Sequence, residues 1–280
     1  MRAVLHNFTG ALRRVFPAAM TDAQAIAFSM FLAFFPMLLF ALGLLAFSPR
    51  LSSAAQEFLS DLRLFLPQDS KRMVMDFLVH QGQGRTPQGW ILLGLGGTLL
   101  GGSQVMGGFM QAFRNLYTAT AGSGVNPPLQ HFWRDQLRAL LLLLATIGPL
   151  LAAIILTVFG RQLRTWMIVH YGLPKLFDGI WLVVYVGLAL VSAMLVLALL
   201  YRVGRAGCRS WNDVMPGAVV ATLLWWVVNS AFGFYVRNVP YSLVYGGLAA
   251  AIGLLVWMNL CAIVVLLGAA YNAEALSRRP

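Results

Sequence analysis

The chain has 280 residues, of which 59% are hydrophobic and 10% charged, with a formal net charge of +11 and a mean hydropathy of +0.75. A soluble domain carries about 25% charged residues, so this usage excludes one and points to a polytopic membrane protein. The positive balance then reads as topology and attraction to anionic headgroups rather than nucleic-acid binding, and two cysteines, Cys208 and Cys261, exclude the multi-bridge framework of a small secreted domain.

A helix needs about 20 apolar residues to cross hydrocarbon about 30 Å thick. Six runs meet that length, near 24–47, 90–112, 137–160, 178–200, 214–236 and 243–270. They predict an all-α bundle of six transmembrane helices, with residues 1–280 forming a single membrane domain. The first run starts too late and is too long to be the core of a cleaved signal peptide, so it is read as a retained span.

In that first span Asp22, Ser29, Pro36 and Gly43 recur at intervals of seven. Such positions drift only about 20° per step and form one narrow stripe. Facing lipid, the stripe would strand polar groups, so it is expected to face other helices. Asp22, at the edge, also suits a helix N-cap or first-turn acid.

Residues 48–89 form the largest extramembrane piece. Ala55, Phe58, Leu59, Leu62 and Leu66 follow a helical period that Pro67 ends, and Met73, Val74, Phe77 and Leu78 repeat it. Two short amphipathic helices are expected, capping the bundle or lying at the lipid interface, with a gate as the alternative. GQGRTPQG, residues 82–89, is a flexible return.

The second span, WILLGLGGTLLGGSQVMGGFMQAFRNLY, puts Gly97, Gly101, Gln104, Gly108, Gln111 and Asn115 on one helical stripe. For the glycines the plain reading is tight helix packing through GxxxG. The amides need partners, in another helix or in a wet cavity. Gly148-Pro149 suggests a kink in the third span. The fifth opens with DVMPGA, where Asp213 suits the cap and Pro216 the first turn, and carries Thr222, Asn229, Gly233 and Arg237 at helical spacing. The sixth brings Tyr245, Gly246, Asn259 and Asn272. Together these faces predict a bundle enclosing a polar crevice.

With both termini in the cytoplasm, the inside segments carry eleven Lys and Arg and the outside segments nine, five of them in residues 48–89 beside Glu57, Asp61, Asp69 and Asp76. The bias favours that orientation, which places 48–89 in the periplasm.

AIAFSMFLAFFPMLL in the first span and GFMQAFRNLY at the end of the second are similar to the opening signature and the middle motif of the BrkB/YihY family of bacterial inner-membrane proteins, a resemblance that extends across nearly the whole chain. WNDVMPGAVVATLLWWVVNSAFGFYV, with Pro216 and Gly217 in its PGA, resembles the closing half together with YSLVYGGLAAAIGLLVWMNLCAIVVLLGAAYNAE, where Tyr245-Gly246 makes the YG turn. The family pattern places Glu directly after the final GA, where this chain has Ala270, with Asn272 and Glu274 further on. The resemblance implies six transmembrane helices and inner-membrane residence. It also implies a link to serum resistance and to envelope lipid or lipopolysaccharide transport, and an older label of ribonuclease BN.

The residues argue against that last label. His6, His80, His131 and His170 are far apart and the nine acids are scattered, whereas a metal nuclease needs clustered ligands. Neither a GxSxG elbow nor a P-loop occurs. The chain is therefore expected to be no enzyme and to need no metal or cofactor. The leading expectation is a transporter or flippase-like mover of an amphipathic anionic, lipid-type molecule, contacting it through Ser29, Gln104, Gln111, Arg114, Asn115, Asn229, Arg237 and Asn259. Asp22, Pro36, Gly97, Gly101, Gly108, Pro216, Gly217, Tyr245 and Gly246 would shape the bundle. The expected partners are membrane lipids, and the alternative is a non-transporting scaffold that binds an envelope protein through residues 48–89.

Overall fold

The computed structural model describes residues 19–47, 87–121, 136–149, 170, 176–204, 210–238 and 246–277. Among them every regular element is helical: α1 (Met20–Phe47), α2 (Pro87–Ala121), α3 (Gln136–Pro149), α4 (Leu176–Gly204), α5 (Met215–Asn238) and α6 (Gly246–Ser277), with a 3-10 turn at Trp211–Asp213. Each helix falls on one of the six expected runs. Four contain stretches long and apolar enough to cross a membrane, at Met20–Ala41, Gln88–Tyr117, Met215–Tyr235 and Ala251–Ser277, whereas Gln136–Pro149 and Leu190–Gly204 are apolar but shorter. The amphipathic segments expected within 48–86, and Tyr245, lie outside the described residues.

Two boundaries differ from expectation for physical reasons. α2 runs nine residues past 112, because no Gly or Pro interrupts QAFRNLYTATA and because Ala112, Phe113 and Leu116 are buried against the bundle. Arg114 and Asn115 thus lie on the helix rather than in a loop. α5 starts after the 3-10 turn that Asp213 closes, so Asp213 does not cap it; Ser210 caps the turn, its Oγ accepting from the Asn212 amide at 3.3 Å. Pro216 does occupy the first turn of α5, where a missing N–H costs nothing.

α1 and α2 pack antiparallel along most of their length. A Cβ built on Gly97 would stand 2.6 Å from Cβ of Pro36, one on Gly101 2.8 Å from Cβ of Ala33, and one on Gly108 3.1 Å from Ile26. Gly94 meets the Phe40 backbone and Gly43 meets Ile91 in the same register. The glycines of α2 therefore do what GxxxG does in lipid, bringing two backbones together so that dispersion can hold them.

α4, α5 and α6 are joined by side chains. The Asn272 side chain of α6 is fully buried, its Oδ1 accepting from the Gly217 amide at 2.6 Å and its Nδ2 donating to the Val214 carbonyl at 3.1 Å. This satisfies one of the orphan amides of the first turn of α5, which would otherwise cost about 1–3 kcal/mol if buried unpaired. Gly217 and Gly268 meet backbone to backbone beside it. The Tyr201 hydroxyl of α4 donates to the Val265 carbonyl at 2.8 Å, and its ring stands edge-on to Phe113 at 5.5 Å.

Candidate functional site, a polar seam on the outer edge of α1 and α2

The packing register sets what else stands along the α1–α2 pair. Ala33 meets Gly101 and Ile26 meets Gly108, so Ser29 and Gln104 lie at one level between them. At 100° per residue, Gln104 and Gln111 fall about 40–60°, and Asn115 about 20°, to one side of the mean direction of Gly97, Gly101 and Gly108, which touch α1. α6 packs against both α1 and α2 through their buried faces, which include Ala23 and Ala27 on α1 and Val105 and Phe109 on α2. The amides sit on the opposite, outer edge. Gln104, Gln111 and Asn115 are exposed, and Ser29 and Asp22 half-buried.

Expected to turn inward with the glycines, the amides instead line the rim of the α1–α2 contact. A face of six residues is wider than the strip that a second helix covers, so close approach of the glycines leaves the flanking amides outside.

Depth follows from helix rise. In the span Gln88–Tyr117, Gln104 lies about 2 Å from the midpoint and Gln111 about 13 Å, at 1.5 Å per residue. Asn115 and Asp22 reach headgroup level, where Asn115 Nδ2 donates to Asp22 Oδ2 at 3.3 Å. Arg114 is half-buried at the same level. The Ser29 hydroxyl donates to the Ala25 carbonyl at 3.0 Å, but neither Gln104 nor Gln111 hydrogen-bonds within the described protein. Beyond the midpoint the same face carries Leu100 and Leu93, which are 66% and 73% exposed. The seam is polar from one surface to the centre and apolar from there on.

The other expected contact residues lie elsewhere. Asn229 of α5 accepts from Trp257 Nε1 at 2.7 Å and so holds α5 to α6. Asn259 is half-buried, and its Oδ1 has no hydrogen-bond partner among the described residues. Arg237 lies in the last turn of α5, and Gly246 opens α6. Thus Ser29, Gln104, Gln111, Arg114 and Asn115 share one surface, while Asn229, Arg237 and Asn259 do not join it.

Sequence reasoning did not single out Asn272 and Tyr201 as tertiary contacts, nor Ser103, whose Oγ accepts from Gln136 Nε2 of α3 at 2.6 Å. Each is a polar residue in a mostly apolar helix, which signals a partner without naming it. Among the described residues no three of His, Cys, Asp and Glu stand together as metal ligands would.

The family profile described as Virulence factor BrkB matches residues 18–280. A Bacillus subtilis (strain 168) protein named ribonuclease-like protein YfkH is 27% identical over 260 residues, 92% of this chain and 90% of that one. A UPF0761 membrane protein of Chromobacterium violaceum is 26% identical over 256 residues, 89% of this chain, and one of Tolumonas auensis is 27% identical over 158 residues, 54% of this chain. The chain spans 56% and 51% of the length of these two UPF0761 relatives. No solved structure matches. With a profile covering nearly all of its length, and a helical fold in which its GxxxG, PGA and LLGA segments make close helix contacts, this chain belongs to the BrkB family of membrane proteins.

Proposed function

We propose that this protein resides in the bacterial inner membrane, crosses it six times with both termini in the cytoplasm, and moves an amphipathic, phosphate-bearing lipid-type molecule. The headgroup travels along the outer polar seam of α1 and α2, while the acyl chains stay in the bilayer. The observation that carries this reading is Gln104, an exposed amide at mid-span with no hydrogen-bond partner among the described residues. Stranded in hydrocarbon such a group costs several kcal/mol. A headgroup passing along the seam would meet it, with Gln111 and then Asn115 as the next hydrogen-bonding steps and Arg114 as the cation at the surface. The unfavourable step for a lipid crossing a bilayer is dragging its headgroup through the centre, and a seam that is polar to the centre lowers that step. No P-loop occurs in the sequence, and the reading is of movement down a concentration difference or driven by a partner.

The test is translocation of a headgroup-labelled phospholipid in vesicles containing the purified protein. Faster, protein-dependent loss of the inner-leaflet label is expected, slowed about tenfold or more by Gln104→Leu combined with Gln111→Leu at unchanged protein level. Folded protein that leaves the lipid rate at that of empty vesicles and co-purifies with no lipid would remove the reading. If a chain with a deletion within residues 52–80 failed to complement a strain lacking the protein while both amide replacements complemented it, a scaffold role would replace it.

A further inference from the structure

We infer that an anionic phospholipid of the bilayer binds where α4 ends, with its phosphate on Arg202 and an acyl chain along the exposed stripe of the same helix. Arg202 lies in the last turn of α4, and its guanidinium carbon stands over the Trp211 ring, 4.3 Å from the centroid. This cation–π pair joins the end of α4 to the 3-10 turn that leads into α5. It uses the flat face of the guanidinium and leaves the rim of N–H donors, the part that matches phosphate oxygens.

Three observations say what those donors meet. The first is that they are unspent: among the described residues Arg202 has no hydrogen bond and no ion pair, whereas Arg114 and Arg138 each engage another group. No acid occurs from Gly179 to Asn212 to neutralise it, and the same stretch adds Arg205 and Arg209, so the charge that complements this corner is negative. The second is depth. An indole favours the headgroup level, and Trp211 is 39% exposed there, so the pair stands where lipid phosphates lie. Ser210 and Asn212, on either side of Trp211, are exposed as well, and a hydroxyl and a carboxamide can donate to the same oxygens.

The third is shape. Arg202, Leu195, Val191, Leu188 and Val184 fall within about 60° of one another at 100° per residue, and the four apolar members are exposed. At 1.5 Å per residue Leu195 lies about 10 Å and Val191 about 16 Å from Arg202, the depth of one leaflet of hydrocarbon about 30 Å thick. The exposed stripe of α5, with Val219, Leu223 and Trp226, starts from no such cation, since none occurs between Val214 and Val236. Both stripes suit acyl chains, and charge selects α4 for an anionic lipid. The site stands apart from the α1–α2 seam and does not rest on the transport reading.

The experiment titrates the full-length protein in mild detergent with phosphatidylglycerol and, separately, with phosphatidylcholine, counting bound lipids by native mass spectrometry. One phosphatidylglycerol is expected to bind about fivefold or more tightly than phosphatidylcholine. Arg202→Gln should weaken that step about five- to tenfold and erase the headgroup preference, and Arg202→Lys should keep part of it. Trp211→Ala should weaken it more than Trp211→Phe, which retains a ring. Arg138→Gln removes another exposed arginine and should leave the step unchanged. Unchanged phosphatidylglycerol binding in folded Arg202→Gln, or in Trp211→Ala if Arg202→Gln does not fold, would overturn the inference. An equal loss in Arg138→Gln would do the same by reducing the effect to overall charge, and displacement of the lipid by millimolar glycerol phosphate would reassign the site to a soluble anion.

Discussion

At the end of the bundle where α1, α3 and α5 begin and α2, α4 and α6 finish, side chains from all six helices are buried together: Ala23, Phe113, Leu142, Tyr201, Ala218 and Leu266 belong to one core. At the opposite end the described residues of α1, α4, α5 and α6 contribute almost no buried side chain; Phe35, Leu188, Phe234 and Ile252 are each exposed. The difference teaches how a membrane bundle divides its labour. Without a hydrophobic drive between helices, contact persists only where small residues or hydrogen bonds reward it. The first end has both, in Gly217 against Gly268 and in Asn272 and Tyr201 reaching across to backbone groups. The second has the α1–α2 glycine contact and the Asn229–Trp257 bond. The polar seam opens at the packed end, so among the described residues its surface level is held by the most densely packed part of the bundle.

The comparison breaks most sharply at the paired glycines. Gly217→Val should destabilise the fold by about 3 kcal/mol or more, because its branches have only the Gly268 backbone and Asn272 to displace. Gly233→Val, where a Cβ meets nothing within 4 Å, should change stability by under about 1 kcal/mol. Unfolding in mixed micelles measures both, and equal losses would refute the division into two ends.

Asn272→Leu comes next, with an expected loss of about 2–3 kcal/mol, since it leaves the buried Gly217 amide unpaired. Asn229→Leu, at the other end, frees only the Trp257 indole and should cost about 1 kcal/mol in the same titration.

Gly97→Ala should cost about 1–2 kcal/mol by pressing on the rigid Pro36 ring. Gly187→Ala on α4, with open space around it, should gain about 0.5–1 kcal/mol through helix propensity. Opposite signs in the two thermal midpoints would sharpen the case that α1 and α2 pack by glycine.

The smallest effect is expected of Ser103→Ala, about 0.5–1 kcal/mol, through the bond from Gln136 that ties α3 to α2. A slightly lowered thermal midpoint in the same micelles would report it.

Helix existence was legible because an apolar run of span length has one way to pair its backbone. The glycine stripe of α2 was legible as a packing face for the same reason, and Pro36 and Gly43 proved to lie on the face it meets. The amides were harder. Gln104 and Gly101 are three residues apart and read as one stripe, but on the helix they differ by about 60°, and the edge of a contact lies within that angle. Asn272 was visible only as one polar residue among several, because nothing local to it says that its partner is the amide of Gly217, 55 residues earlier.

Composition and periodicity by themselves determined that this is a helical membrane protein, where its helices run and which faces are small or polar, since these follow from helix geometry and the cost of an unpaired group in lipid. Only the tertiary structure decided that glycines and amides of one stripe part company, the first inward against α1 and the second onto an outer seam. It also decided that the bundle is fastened at one end. Both depend on the register between helices, which is set by contacts between residues far apart in the chain.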